Sequence, residues 1–90
     1  FHGHIPVIWR QAKALRLPLT REEIPYGTPE MASEVARLYR ETSLSDRRVL
    51  AMGGHEDGII SFGKNADEAG SALVSTLSQA LQLESMPSVL

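Results

Sequence analysis

Three histidines are the residues whose type and spacing favour metal binding in this sequence. His2 and His4 are two residues apart, and in an extended strand such residues point to the same face, so their imidazoles can converge on one ion. His55 follows much later, in a glycine-rich segment where the backbone can approach a ligand or substrate closely. Three protein ligands with one open position are typical of a catalytic zinc site. An H-x-H pair also arises by chance, however, and spacing alone does not bring His55 to the other two.

The composition is that of a soluble globular domain, and it narrows the range of ligands. The chain has 90 residues, of which 42% are hydrophobic and 22% charged, with a formal net charge of −2. The near-neutral charge argues against nucleic acid or an anionic membrane as a partner. The absence of cysteine excludes disulfides and thiolate metal sites, leaving His, Asp and Glu as the strong metal ligands. Neither an apolar run of about 20 residues nor a signal peptide is visible, which fits a protein of the cytoplasm.

The first half of the chain predicts two helices joined by a short connection. Residues 5–15 repeat apolar side chains at helical spacing, with a proline where the first helical turn tolerates one. Residues 20–24 are either a short strand or an extended connection. Thr28 is a suitable N-cap for the next helix, which we expect to continue to about Thr42. The polar, turn-prone residues 43–46 then close it.

The second half predicts a β-hairpin followed by a long helix. Residues 48–52 and residues 58–62 are apolar runs of strand length, and the glycine-rich tip between them carries His55. Asn65 can cap the last helix. Its buried stripe is expected to comprise Ala69, Leu73, Thr76, Leu77 and Ala80.

Four segments, in the same order, resemble the carboxy-terminal half of the class II aldolase/adducin family. The family's H-x-H-P segment is similar to HGHIP at residues 2–6, with one residue inserted before the proline. Its P-Y-x-x-x-G-T segment is similar to IPYGTPE at residues 24–30. A strand that ends in histidine and glycine resembles the run into GGH at residues 53–55, and the G-x-x-x-E-A helix start resembles FGKNADEA at residues 62–69.

The resemblance implies a fold and a place for this chain within it. Residues 1–83 would be the carboxy-terminal portion of a three-layer α-β-α, class II aldolase-like domain with a mainly antiparallel central sheet, and residues 84–90 a tail without helical periodicity. The family's catalytic base lies before the H-x-H segment, so we expect this chain to lack it. Exposed sheet edges in such a half-domain need covering, which predicts a homo-oligomer or pairing with the missing amino-terminal portion.

The resemblance also assigns the metal ligands. In the family a divalent metal, commonly zinc, is held by three histidines, which correspond to His2, His4 and His55. The metal acts as a Lewis acid on the oxygens of an enediolate, in lyase, epimerase or dehydratase reactions of a small hydroxy-carbonyl or sugar-type substrate. Because an imidazole must be neutral to bind a metal, acid is expected to release the ion.

The catalytic residue stays unassigned in the sequence. Glu56 and Asp57 follow His55 directly, and they can act beside the metal as an acid/base pair or form a solvated loop tip. Exposed loop acids are the commoner case. Tyr26 can hydrogen-bond a substrate or pack the turn before the helix. The alternative function is a non-catalytic, adducin-like binding or assembly module, although such members are expected to lose the metal ligands that this chain keeps.

Overall fold

A small antiparallel sheet packed against helices organises residues 1–86, the part of the chain described in a computed structural model. Its three strands lie in the order β1-β3-β2, so the last strand of the chain is the central one. The elements in chain order are β1 (His2–His4), α1 (Pro6–Arg10), α2 (Pro29–Glu41), α3 (Leu44–Arg47), β2 (Val49–Ala51), β3 (Gly58–Ser61) and α4 (Ala66–Ser85).

The predicted β-hairpin is confirmed, with strands slightly shorter than the apolar runs. β2 and β3 pair antiparallel, with Leu50 opposite Ile60 and Ala51 opposite Ile59. Since side chains alternate across a strand, the first pair faces one side of the sheet and the second pair faces the other. Both faces of the hairpin are therefore apolar, and each needs its own cover.

Two hydrophobic clusters provide that cover. The first draws on α1 and α4, and its buried members are Ile8, Ala12, Leu17, Val49, Ala51, Ile59 and Ala80. The second draws on α2 and α3, and its buried members are Met31, Leu38, Leu44, Leu50 and Met52. Burying one such aliphatic side chain contributes about 1.5–3 kcal/mol, so both clusters stabilise the sheet between them. The mixed α/β class is thus confirmed, whereas the larger aldolase-like domain stays a prediction.

β1 is an edge strand that carries two of the three histidines. It pairs antiparallel with β3, with His2 opposite Ile60 and His4 opposite Gly58. The two histidine side chains therefore project from the same face of the sheet as Ile60. Because the strand lies at the edge, both histidines are exposed to solvent.

The first helix is shorter than predicted. α1 ends at Arg10, and the turns that follow finish with Arg16 in the left-handed region at φ 57°. The N–H of Leu17 closes these turns by donating to the carbonyl of Ala12 at 2.9 Å. The chain leaves the helix because Leu17 is buried in the first cluster and the next residues run along β2.

Residues 20–24 form a connection and not a strand, apart from one bridge just before them. Leu19 bridges Ala51 in the parallel direction, and the N–H of Thr20 donates to the carbonyl of Ala51 at 3.0 Å. This segment covers the outer edge of β2. Within residues 1–86, the unpaired edge of the sheet is therefore the one formed by β1.

Local capping starts the two long helices, as predicted. The Thr28 side chain accepts a hydrogen bond from the N–H of Met31 at 3.3 Å, and the Asn65 side chain accepts one from Glu68 at 2.9 Å. Residues 43–46, predicted as a turn, instead enter the short helix α3. A helical turn forms there because it places Leu44 in the second cluster, where it is fully buried.

α4 is longer than predicted and only partly buried. It extends to Ser85, so the first two residues of the predicted tail are helical, while residues 87–90 lie outside the described residues. Of the predicted stripe, Leu73 and Leu77 pack at the margin of the first cluster, and Ala69, Thr76 and Ala80 are buried. None of the helices in residues 1–86 is long and apolar enough to cross a membrane.

Candidate metal centre

The three histidines meet at the β1 edge of the sheet. One ring nitrogen from each of His2, His4 and His55 lies within 4.8 Å of the others. The ring centroids are 5.5 Å apart for His2 and His4, 5.7 Å for His2 and His55, and 4.8 Å for His4 and His55. The structure therefore brings together the local pair of histidines and the distant third one, which spacing in the sequence could not join.

The distance between the ring nitrogens of His4 and His55 suits a tetrahedral metal ion. With zinc–nitrogen bonds of about 2.0–2.1 Å, neighbouring ligand nitrogens in a tetrahedron lie about 3.3 Å apart. The Nε2 atoms of His4 and His55 are 3.2 Å apart. Among residues 1–86 the cluster consists of the three histidines without a carboxylate, which leaves a fourth position open. These three side chains can hold a divalent metal ion.

A hydrogen bond of His2 indicates which of its two ring nitrogens would be available to a metal. Its Nδ1 lies 3.2 Å from the carbonyl oxygen of Ile59, on the neighbouring strand. In the tautomer that makes this bond, Nδ1–H donates to the carbonyl and the lone pair remains on Nε2. Metal-binding histidines commonly have such a second hydrogen bond, because it orients the ring and raises the basicity of the other nitrogen.

Backbone hydrogen bonds hold His55 in the hairpin tip. The N–H of His55 donates to the carbonyl of Met52 at 3.2 Å, and the N–H of Gly58 donates to the carbonyl of His55 at 2.9 Å. The indole N–H of Trp9 donates to the same Met52 carbonyl at 2.9 Å. Trp9 on α1 therefore supports the turn that presents the third histidine.

Besides the contact between the His4 and His55 rings, a backbone hydrogen bond ties this tip to the residue just after β1. The N–H of Ile5, just after β1, donates to the carbonyl of Asp57 at 2.8 Å. Asp57 itself is in the left-handed region at φ 64°, which aspartate tolerates better than most residues. The bond continues the pairing of β1 with β3 into the tip, and so places His55 beside His4.

The glycines of the tip have a different use from the one expected. We expected them to let the backbone approach a ligand or substrate, but Gly53 and Gly54 lie against the connection before α2. A Cβ on Gly53 would collide with the carbonyl oxygen of Thr20, and one on Gly54 with that of Glu22. The N–H of Gly53 also donates to the Thr20 hydroxyl oxygen at 3.0 Å. These glycines therefore let the tip pack directly against the backbone of the connection.

Gly58→Ala is expected to weaken metal binding by displacing His55. A Cβ at this position would lie 2.5 Å from His55 Cδ2, closer than non-bonded carbon atoms approach. Since disturbing the support of a metal ligand costs about 10- to 100-fold in affinity, we expect the Kd for zinc to rise at least about tenfold in a calorimetric titration. Gly3→Ala is the matched control, because its added Cβ would meet no atom nearer than Ile5 Cγ1 at 3.9 Å. Equal affinity in the two variants would contradict the predicted displacement.

The candidate acid/base residues fall outside the group of ligands. Glu56 is exposed and Asp57 is half-buried, and neither carboxylate belongs to the cluster formed within residues 1–86. Asp57 contributes to the site through its backbone carbonyl. Tyr26, in contrast, packs directly on the cluster, with its ring stacked on that of His2.

One residue that was not predicted from the sequence supports the site from a distance. Glu34 on α2 is buried, and its carboxylate accepts the backbone N–H of Arg21 at 2.7 Å and the Nε–H of Arg37 at 2.7 Å. The hydrogen bond from Arg37, with a smaller one from the Arg21 backbone, lowers the pKa of Glu34 to about 2 against the opposing effect of burial. Glu34 thereby anchors the connection on which the hairpin tip rests. The sequence does contain an indication of this role, because Glu34 is a charged residue that falls between Met31 and Leu38 on the apolar face of α2.

The assignment of this site depends on geometry, because no family model, curated protein or solved structure matches the chain. The resemblance to the class II aldolase/adducin family remains a prediction from four short segments. The three histidines are a separate argument, since their convergence follows from strand pairing and not from that resemblance.

Proposed function

We propose that this chain binds a divalent metal ion, zinc in the first instance, through His2, His4 and His55, and that the centre serves class II aldolase-like chemistry. The observation that carries the proposal is the convergence of three imidazole nitrogens within 4.8 Å, from segments far apart in the sequence. The donor set is all nitrogen, which suits zinc better than magnesium or calcium, since those ions prefer oxygen.

The substrate class is taken from the resemblance to the class II aldolase/adducin family, and a metal centre of this kind is chemically compatible with it. A metal bound by three histidines would act as a Lewis acid, polarising the oxygens of a small hydroxy-carbonyl or sugar-type compound. The protein side chains hold the ion and leave one position open on an exposed strand, where a small molecule can reach it. No carboxylate stands among the three residues of the cluster within residues 1–86, so proton removal would fall to a group outside it.

The test is proton exchange at the carbon next to a carbonyl group. Zinc-loaded chain, in neutral D2O with sodium acetate added as the base, would be mixed with dihydroxyacetone or glycolaldehyde and followed by NMR. We expect faster exchange than with the same concentration of free zinc, and no such gain with His55→Ala, because loss of a ligand removes the ion from the protein. Exchange no faster than with free zinc would contradict the enzymatic part of the proposal.

The alternative is a structural metal site, in which a metal joins chains and does not activate a substrate. It is favoured by the position of His2 and His4 on the unpaired edge strand, where another chain can approach. The same zinc-loaded samples distinguish the two functions in sedimentation experiments. Chelation would dissociate an assembly held by metal, whereas a catalytic centre would leave the oligomeric state unchanged.

A further inference from the structure

The ring of Tyr26 lies across two of the three histidines. It stacks on His2 with the centroids 4.5 Å apart and the planes at 17°, and on His55 with the centroids 5.3 Å apart and the planes at 21°. Near-parallel stacking at these separations restrains rotation of the histidine rings, because each ring loses the contact when it turns. One aromatic side chain therefore bridges a ligand from β1 and the ligand from the hairpin tip.

The backbone around Tyr26 is held by the start of α2. Gly27, the next residue, is in the left-handed region at φ 81°, which glycine adopts without strain. The Thr28 hydroxyl donates to the carbonyl of Pro25 at 2.9 Å and also accepts the N–H of Met31. The residue that caps the helix therefore also closes the turn that presents Tyr26.

His4, which Tyr26 does not cover, is arranged differently from His2 and His55. The ring of His4 meets that of His2 at 69° and that of His55 at 69°, so it stands edge-on to both. Tyr26 closes the centre on the faces of His2 and His55. A ligand can therefore approach the open position from the side that the tyrosine ring does not cover.

We propose that Tyr26 is a positioning residue of the metal centre, which holds His2 and His55 in the orientation that binds the ion and closes one side of the centre to solvent. This inference rests on the proposed metal binding. It predicts a four-coordinate ion with one exchangeable position, open to a small anion or to the oxygen of a hydroxy-carbonyl compound. The aromatic ring supplies this effect, and the phenol hydroxyl is not required.

The test compares wild type, Tyr26→Ala and Tyr26→Phe after loading with cobalt(II), whose visible spectrum reports the coordination number. We expect intense bands of four-coordinate cobalt in wild type and Tyr26→Phe, and weaker bands of higher coordination in Tyr26→Ala. The Kd for cobalt should rise about tenfold in Tyr26→Ala, the lower end of the range for lost support of a ligand. Tyr39→Ala is the matched control, because Tyr39 is similarly exposed at 53% but packs near Phe62.

The outcomes separate this inference from the function on which it rests. Loss of the four-coordinate spectrum in Tyr26→Ala, with rescue by Tyr26→Phe and with helix content unchanged in circular dichroism, supports the positioning role. A wild-type spectrum and affinity in Tyr26→Ala would overturn it, and so would equal loss in Tyr26→Phe. Wild-type protein that binds no cobalt would overturn the proposed function itself, and with it the role of Tyr26.

Discussion

Replacing His4 with alanine is expected to abolish stoichiometric zinc binding. His4 stands 3.2 Å from His55 through their Nε2 atoms, and its removal takes away one of the three ring nitrogens proposed to bind the ion. Loss of a residue that only supports a ligand costs about 10- to 100-fold in metal affinity, and loss of the ligand itself should cost more than about 100-fold. Because His4 is exposed on an edge strand, the substitution should leave the fold intact.

Metal analysis after dialysis measures this effect, with circular dichroism as the check on folding. Glu56→Gln is the matched control, since it removes the carboxylate that follows His55 without touching the cluster. We expect the control to retain one zinc ion per chain and His4→Ala to retain almost none. Equal and substoichiometric zinc in the wild type and in His4→Ala would show that the histidines do not form a metal site.

Replacing Glu34 with glutamine is expected to lower the free energy of unfolding by up to about 3 kcal/mol at neutral pH. The estimate follows from the pKa of this carboxyl, which is lowered from 4.5 to about 2 in the folded chain. Glutamine has the same shape and can still accept the N–H of Arg21, but it removes the charge that Arg37 contacts from two nitrogens, at 2.7 Å and 2.9 Å. The side chain of Glu34 is 1% exposed but that of Arg37 is 26% exposed, so solvent screens the pair in part and the estimate is an upper bound.

The contribution of the Glu34 carboxylate to the free energy of unfolding changes with pH in a definite direction. The folded state binds the Glu34 proton less readily than the unfolded state, so the carboxylate stabilises the chain above pH 4.5, the unfolded value. This contribution decreases as the pH falls towards about 2, the folded value. The difference in stability between wild type and Glu34→Gln should therefore shrink across that range.

Urea unfolding at several pH values measures this difference. Glu23→Gln is the matched control, because Glu23 is an exposed acid in the connection that Glu34 anchors. Its stability should follow that of the wild type at every pH. A difference between wild type and Glu34→Gln that stays constant from pH 4.5 to pH 2 would contradict the proposed anchoring.

Local rules predicted most of the elements in this chain. Thr28 and Asn65 cap their helices because each side chain bonds to an N–H only three residues ahead. The two apolar runs around the glycine-rich tip pair as a hairpin because they are close in sequence. The ends of helices were predicted less well where the burial of a single side chain decided them. α1 ends earlier than predicted because the chain turns to bury Leu17. The predicted turn at residues 43–46 becomes part of a short helix because this buries Leu44.

Residue types and local periodicity are enough to predict which chemistry is available to the metal centre. Without cysteine, imidazole nitrogens and carboxylate oxygens are its strong metal ligands, and the period of two in a strand puts His2 and His4 on one face. The family resemblance named His55 as the third ligand, but its position beside His4, 51 residues away in the chain, and the packing of Tyr26 on it are seen only once the chain is folded. Contacts between distant segments follow from pairing β1 with β3 and from covering both faces of the sheet, which no local pattern specifies.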